Sequence, residues 1–329
     1  MQKPFHHCQR GSPMKKHSRH KLLFALILRG GMYLLRGRRF LGILKRRILI
    51  FTMRIWSPSF AMSMNALKFP LTVLKLLVKE STRYPERLTL EGLIISARYG
   101  LLMLLYANVF ALSGGTIGGL TFPDAAWSMF FYFSLMTLGL RNIASGIMDD
   151  VLSGQVETLL TKPVHYLQYR IWWQIGSSLY QFFVITIFGA LLLFFLVGAP
   201  TVLWTPYFLP TLFLAYVGGM LLTIPLYIMV GLTSFWIEDA KPVFWIIDKS
   251  IMMLGGSYIP VALFPPVLYA IAKYSPFGAS QLLTHTVYGT WETEWPLLLG
   301  MQGAWIVLLF VLCMTQFHCA KSRVFVNGG

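Results

Sequence analysis

No charged side chain interrupts residues 171–237, a run of 67 residues. The run is too long for one membrane-spanning helix, which takes about 20 apolar residues, and long enough for two. The segment GAPTVLWTP at 198–206 supplies a break between them. Only 12% of the whole chain is charged, whereas a soluble domain carries roughly 25%. The sequence therefore predicts an integral membrane protein built from α-helices.

The apolar segments predict six transmembrane helices in an all-α fold. These spans lie at about 92–112, 125–145, 171–197, 207–232, 243–258 and 295–317. The fifth is the least clear, because Asp248 and Lys249 lie inside it. A charge at mid-bilayer is costly unless it faces protein or water. The fifth span therefore either covers 243–258, with the pair near its inner end, or begins at Ser250.

An even number of spans places both termini on one side of the bilayer. Basic residues are concentrated in the connections that are cytoplasmic if the termini are, as the positive-inside rule requires. Those connections contain Arg141, Lys162, Arg170, Lys241, Lys249, Lys321 and Arg323, and the outer connections contain only Lys273. The sequence therefore predicts a multi-pass protein with both termini in the cytoplasm.

The N-terminal region is strongly basic, since residues 1–79 hold 17 Lys or Arg and no Asp or Glu. Residues 1–60 contain no apolar run long enough for a span. They would suit a segment that lies on anionic lipid, or an upstream extension that the functional protein lacks. Charge alone would also allow nucleic-acid binding, but nucleic acid is not among the partners we expect.

Residues 61–91 are predicted to form an interfacial elbow before the membrane domain, 92–329. Lys68, Lys75 and Lys79 share one helical stripe and most neighbouring positions are apolar. This pattern is typical of a helix that lies in the membrane interface. The alternative is a soluble helix that packs on a neighbour.

The connection after the second predicted span, IMDDVLSGQVETLLTKPVHY at 147–166, has a helical apolar stripe. The stripe contains Ile147, Val151, Leu152, Val156, Leu159 and Leu160. Asp149, Asp150 and Glu157 occupy other faces, and Pro163 ends the helix. We expect a short amphipathic helix at 147–163 on the cytoplasmic face. It would either fill a groove on a partner or lie in the interface without one.

Catalytic motifs are weak in this sequence, and no catalytic, cofactor-binding or metal-binding residue is expected on the chain. The segment GGTIGGLT at 114–121 resembles a phosphate loop, but Leu120 stands where the lysine must be. We interpret it as a glycine-rich turn. The rival function is a Mg²⁺-dependent lipid or prenyl transferase that uses Asp149 and Asp150, although further aspartates at the required spacing do not follow.

Glycine and proline break the sequence after the fifth predicted span. Gly255, Gly256, Pro260, Pro265 and Pro266 prevent a straight helix there. Residues 260–275 are predicted to form short, broken, re-entrant helices, which are tolerated in a membrane where protein or a wet cavity buries the backbone. The alternative is a plain external loop.

From about residue 61 to its end the chain resembles the permease subunit of a type-2 ATP-binding-cassette (ABC) exporter, in the bacterial single-domain branch. The segment DDVLSGQVETLLTKPVHY at 149–166 is similar to the coupling segment of that branch. In residues 234–280 a Phe-Trp pair, a Gly before Ile-Pro, a Phe-Pro and a final Pro-Phe occur in the same order. The tail RVFVNGG is similar to the Gly-Gly terminus of the branch.

The resemblance implies a transport subunit of the bacterial plasma membrane, paired with an identical or sister permease and with a cytoplasmic ATPase that binds the ATP and Mg²⁺. The interfacial helix would brace the first span, and the aromatic spans suit an apolar or amphipathic cargo or simply face lipid. The resemblance implies an ATPase-coupling helix with Asp149, Asp150, Leu152, Gly154, Glu157, Leu160 and Pro163. It implies an outer gate with Gly255, Gly256, Pro260, Phe264, Pro265, Pro276 and Phe277.

Overall fold

The computed structural model describes residues 72, 75–77, 79, 85–162, 165–200 and 205–327, with side chains left out for 85–93, 95 and 324–327. The chain divides into two units, Met1–Leu67 and Lys68–Gly329, and all described residues belong to the second. The basic extension predicted at 1–60, Lys68 of the interfacial helix and Pro163 lie outside the described residues.

The described residues form α-helices with one small hairpin, which confirms the all-α class. In chain order the elements are α1 (Pro85–Leu112), β1 (Thr116–Ile117), β2 (Leu120–Thr121), α2 (Phe122–Met136), α3 (Asn142–Leu152), α4 (Gln155–Leu160), α5 (Tyr166–Val197), α6 (Phe208–Leu232), α7 (Lys241–Leu254), α8 (Pro266–Tyr274), α9 (Pro276–Ala279) and α10 (Trp291–Asn327). Short 3₁₀ turns cover Thr233–Phe235, Val261–Leu263 and Leu282–Val287.

Three stretches of the described helices are long and apolar enough to cross a membrane: Tyr166–Val197, Phe208–Phe235 and Trp291–Arg323. They correspond to the third, fourth and sixth predicted spans. The first of them has 32 residues, which is about 48 Å at 1.5 Å per residue. It therefore exceeds a hydrocarbon core of about 30 Å, and its first turn, with Arg170, can extend beyond the apolar layer.

The second predicted span is not one helix, which corrects the boundaries 125–145. Helix α2 ends at Met136 and α3 begins at Asn142. Between them Gly139 has a φ of +56°, a left-handed conformation that glycine adopts readily. Gln174 donates from Nε2 to the Leu138 carbonyl at 3.1 Å and so binds one of the backbone groups that the break frees.

The other two predicted spans also differ in length from the helices observed. Helix α1 contains a shorter apolar stretch, Ser96–Leu112. Helix α7 runs from Lys241 to Leu254, so it stops before residue 258 and includes Asp248 and Lys249 in its middle. A start of this helix at Ser250 is therefore wrong.

The glycine-rich segment after α1 forms a tight hairpin, as the sequence predicts. Ile117 pairs with Leu120 in antiparallel register. Gly118 and Gly119, the two residues of the loop, both have positive φ, which a type I′ hairpin turn requires. Thr121 then caps α2, since its hydroxyl accepts from the Asp124 backbone N–H at 3.4 Å.

Helix α6 lies at the centre of the domain. Within its apolar window 61% of the residues are buried, compared with 11% for α5 and 22% for α10. Close approach to α3 depends on Gly231, where an added Cβ would lie 2.8 Å from the Ile147 Cβ. Small residues let membrane helices pack backbone to backbone in this way.

We predict that Gly231→Leu destabilises the domain by about 1–3 kcal/mol, because the new side chain forces α3 away from α6. Thermal unfolding of the detergent-purified chain measures the effect. The matched control is Gly303→Leu on α10, where an added Cβ meets no atom within 4 Å. Leucine favours a helix over glycine by up to about 1 kcal/mol, so the control should not unfold earlier. Equal melting of both variants would contradict the packing argument.

Candidate functional site

The predicted coupling helix at 147–163 is two helices that meet at a corner. Helix α3 ends at Leu152, and α4 covers Gln155–Leu160. Gly154 between them has a φ of +72°, a common way to terminate a helix. Ser153 donates from its hydroxyl to the Asp149 carbonyl at 2.7 Å. The prediction of a single helix was therefore wrong, because the apolar stripe carries no information about this local cap.

The apolar stripe divides between core and surface at this corner. Ile147 and Val156 are buried in the core of the domain, whereas Leu152 is 60% exposed. Leu159 and Leu160 are half-buried. We define the corner surface as the exposed residues Leu152, Ser153, Gly154, Gln155, Glu157 and Thr158. It presents one leucine among polar groups and one acidic side chain.

Asp150 is buried, although it lies off the apolar stripe of the sequence. Arg170 donates from Nε to Oδ2 at 2.7 Å, and its Nη2 forms an ion pair with Oδ1. The Tyr166 hydroxyl donates to the same Oδ2 at 2.6 Å. Gly146 leaves room for the guanidinium, since a Cβ there would lie 2.8 Å from Nη1. The ion pair therefore fastens α3 to the first turn of α5.

This geometry argues against the rival use of Asp149 and Asp150 as magnesium ligands. Both carboxylate oxygens of Asp150 are already bound by Arg170 and Tyr166. Asp149 faces outward and is exposed. Among the described residues there is no group of three or more His, Cys, Asp or Glu that could hold a metal ion.

Asp248 is a second buried carboxylate, and its environment explains the charged pair in the fifth predicted span. The Tyr227 hydroxyl on α6 donates to Oδ1 at 2.9 Å. Arg141, in the break between α2 and α3, lies 3.7 Å from Oδ2, and Lys249 lies 3.6 Å from the same oxygen. The carboxylate thus faces protein, where a charge is tolerated, and it connects α7 to α6 and to the start of α3.

The segment predicted as the outer gate is broken as expected. Gly256, after the end of α7, has a φ of +81°. A 3₁₀ turn and the short helices α8 and α9 follow. Gly278 makes a contact that no other residue could make, since a Cβ would lie 1.6 Å from the Ala272 carbonyl oxygen. Of the proposed gate residues, Gly255, Gly256 and Pro260 are buried, Phe264, Pro276 and Phe277 are half-buried and Pro265 is exposed.

Lys273 attaches α8 to the first turn of α10. Its Nζ lies 2.5 Å from the Glu294 carboxylate and 5.4 Å from the centre of the Tyr269 ring. The side chain of Lys273 is nearly buried. One end of the broken segment is therefore held by an ion pair.

The interfacial helix is described at only a few residues. Lys75 and Lys79 are helical and exposed, and Leu77 is buried. This arrangement fits a helix with one polar and one apolar face.

The residues that sequence reasoning missed are Arg141, Tyr166, Arg170 and Tyr227, all of which bind a buried carboxylate. Only Arg170 could have been recognised from the sequence, because it is the last charged residue before the 67-residue uncharged run. A lone basic residue at that border is costly unless it is paired.

Comparison with known families supports the same conclusion as the fold. Residues 97–323, more than two thirds of the chain, match the family described as ABC-2 family transporter protein. The chain belongs to this family, and it is accordingly a membrane permease of ABC-type transport rather than an enzyme. No curated protein matches the sequence.

We predict that Asp150→Ala lowers the stability of the purified chain by about 1–3 kcal/mol, because it leaves the half-buried Arg170 guanidinium and the Tyr166 hydroxyl without their acceptor. Thermal unfolding in detergent measures the loss. Asp149→Ala is the matched control, since that neighbouring side chain is exposed, and it should change stability little. The double variant Asp150→Leu with Arg170→Met should recover most of the loss. Similar melting of the two single variants would contradict the buried ion pair.

Proposed function

We propose that this chain is the permease subunit of an ABC exporter, in which it forms the translocation pathway with a second permease, identical or a sister chain. A separate cytoplasmic ATPase binds and hydrolyses ATP with Mg²⁺ and engages the corner surface. The observation that carries this proposal is the exposed Leu152 on a corner whose neighbouring residue, Asp150, is locked to α5. A force that a partner applies to the corner is therefore passed on to α5.

Movement of the corner would reach the spans by two routes. The Asp150–Arg170 ion pair passes a displacement of α3 to the first turn of α5. The Arg141–Asp248 contact passes it to α7, whose other end leads directly into the broken segment. The Asp150–Arg170 pair suits this task because both side chains are largely shielded from solvent, so separating the charges is costlier than it is in water. The Arg141 side chain is 39% exposed, so the Arg141–Asp248 contact is the weaker of the two links.

The broken segment would then serve as the outer gate. Short helices joined at glycine and proline can change their relative angles without loss of long runs of backbone hydrogen bonds. The interfacial helix would brace α1 at the membrane surface. Both termini would lie in the cytoplasm of a bacterial cell, with the corner surface on the same side, as the distribution of basic residues predicts.

We predict that Leu152→Asp weakens binding of the partner ATPase at least about tenfold, because burying an unpaired carboxylate in the interface costs well over about 1.4 kcal/mol. Co-purification from membranes that contain both chains measures the association. Ile237→Asp is the control, since Ile237 is an exposed apolar residue after α6 and outside the corner. Undiminished association of Leu152→Asp would refute the coupling role.

Transmission of this movement to the gate can be followed by cysteine labelling. A cysteine introduced as Phe264→Cys, in a chain whose native cysteines are replaced by serine, reports the state of the broken segment. In complex with the ATPase, its labelling by a membrane-impermeant maleimide should change when ATP is added. Asp248→Asn should retain the ATPase but abolish this change, because the link to Arg141 is weakened.

Glu238→Gln, which alters an exposed carboxylate just before α7, is the control and should behave as the native protein does. A full ATP-dependent change in the Asp248→Asn variant would exclude the proposed route through α7. The rival function, a Mg²⁺-dependent transferase, predicts a different outcome. Asp149→Ala would then abolish a Mg²⁺-dependent activity while the chain still binds the ATPase.

A further inference from the structure

Arg98 differs in its partners from four other basic residues of the domain. Arg141, Arg170, Lys249 and Lys273 each have a carboxylate oxygen within 4 Å. Within the described part of the chain, Arg98 forms no such ion pair. It nevertheless belongs to the apolar stretch of α1, where an uncompensated charge is costly and commonly marks a site of function.

Aromatic groups hold Arg98 in place instead. Its Nη2 donates to the Tyr258 hydroxyl at 2.7 Å. The guanidinium carbon lies 5.1 Å from the centre of the Tyr258 ring and 5.6 Å from that of Phe133. A basic residue near the start of a membrane span commonly reaches toward the lipid head groups. The contacts with Tyr258 and Phe133 show that this one is oriented by rings, which attract a cation but leave its charge in place.

A cavity of about 450 Å³ adjoins this cation. Arg98 and Tyr258 provide its polar wall, and its other lining residues are Ile94, Ala97, Leu101 and Leu102. Arg98 is exposed, so its remaining N–H donors are available to a ligand. The cavity thus combines one positive charge and one hydroxyl with an otherwise apolar lining.

We propose that this cavity recognises an amphipathic anion as cargo, with a phosphate or carboxylate group on Arg98 and Tyr258 and an alkyl chain against the apolar wall. The planar guanidinium suits both anions, because its parallel N–H groups match two oxygens. The inference rests on the proposed function as an export permease and adds the chemical class of the substrate.

The same residues connect the cavity to the proposed gate. Tyr258 belongs to the segment that follows α7, and its backbone carbonyl accepts from the Tyr106 hydroxyl at 2.7 Å. One residue of the gate segment therefore contacts α1 at two places, through its backbone at Tyr106 and through its hydroxyl at Arg98. An anion that competes for the Arg98 donors would alter the second contact, so cargo binding and the position of the gate segment are linked.

The test uses the full chain in phosphatidylcholine nanodiscs, with empty nanodiscs subtracted, and tetradecyl phosphate as the probe. We expect saturable binding that inorganic phosphate and tetradecyltrimethylammonium do not reproduce. Arg98→Gln should weaken the binding at least about tenfold, as loss of a charge-assisted hydrogen bond does. Arg323→Gln is the matched control, because Arg323 also lies over an aromatic ring, 5.7 Å from that of Trp236, and it should bind as the native chain does.

A second variant protects the test against misfolding of Arg98→Gln. Ala97→Phe fills the apolar part of the cavity and retains the charge, and it should also weaken binding of tetradecyl phosphate. Equal binding by native and Arg98→Gln chains, or equal binding of the cationic amphiphile, would overturn the proposal. Displacement of the probe by phosphatidylglycerol at equal mole fraction would assign the cavity to a bilayer lipid and overturn the cargo assignment.

Because the ATPase is absent from this binding experiment, its failure would leave the co-purification result untouched. Loss of co-purification in the native proteins would instead contradict the coupling role and leave the binding result standing. A negative result in one experiment therefore does not contradict the proposal that the other one tests.

Discussion

The pairing of buried charges determines how the helices of this domain are arranged. A carboxylate in an apolar membrane domain is stable only with a cation and hydrogen-bond donors close by. Asp150 obtains them from Arg170 and Tyr166, and this fixes α3 against the first turn of α5. Asp248 obtains them from Tyr227 and Arg141, which fixes α7 against α6 and the start of α3. The two pairs thus set the positions of four helices.

Close packing around α6 provides the frame within which these pairs form. Gln302 of α10 lies so close to Gly218 that a Cβ there would meet its Oε1 at 2.1 Å, and Gly231 admits α3 in the same way. Membrane helices gain little from hydrophobic association because lipid is equally apolar, so they rely on such contacts and on hydrogen bonds between helices. Close packing against several elements explains why α6 is the most buried of the long helices.

Sequence periodicity predicted the features that depend on one stretch of chain. It identified the long apolar helices, the Gly118–Gly119 turn and the break after α7. It could not show that α2 ends before residue 145, because the Leu138 carbonyl freed at that break is bound by Gln174 from another helix. It likewise could not show that Asp150 is buried, because the partner Arg170 is 20 residues away in sequence. The Gly154 corner had a local signal, a glycine within a polar gap, which the apolar stripe concealed.

The two ion pairs do more than stabilise the domain. Apolar side chains of similar volume commonly replace a buried pair without loss of stability, and sometimes with a gain. What a charge pair adds is a definite geometry, and for Asp150 and Arg170, whose side chains are 4% and 19% exposed, a cost of separation higher than in water. Both pairs lie where one helix meets the end or the break of another, Asp150 at the first turn of α5 and Arg141 between α2 and α3. At such positions a stiff connection transmits displacement, whereas apolar contacts would allow the helices to slide. The placement of charge therefore fits a domain that must move in a coordinated way.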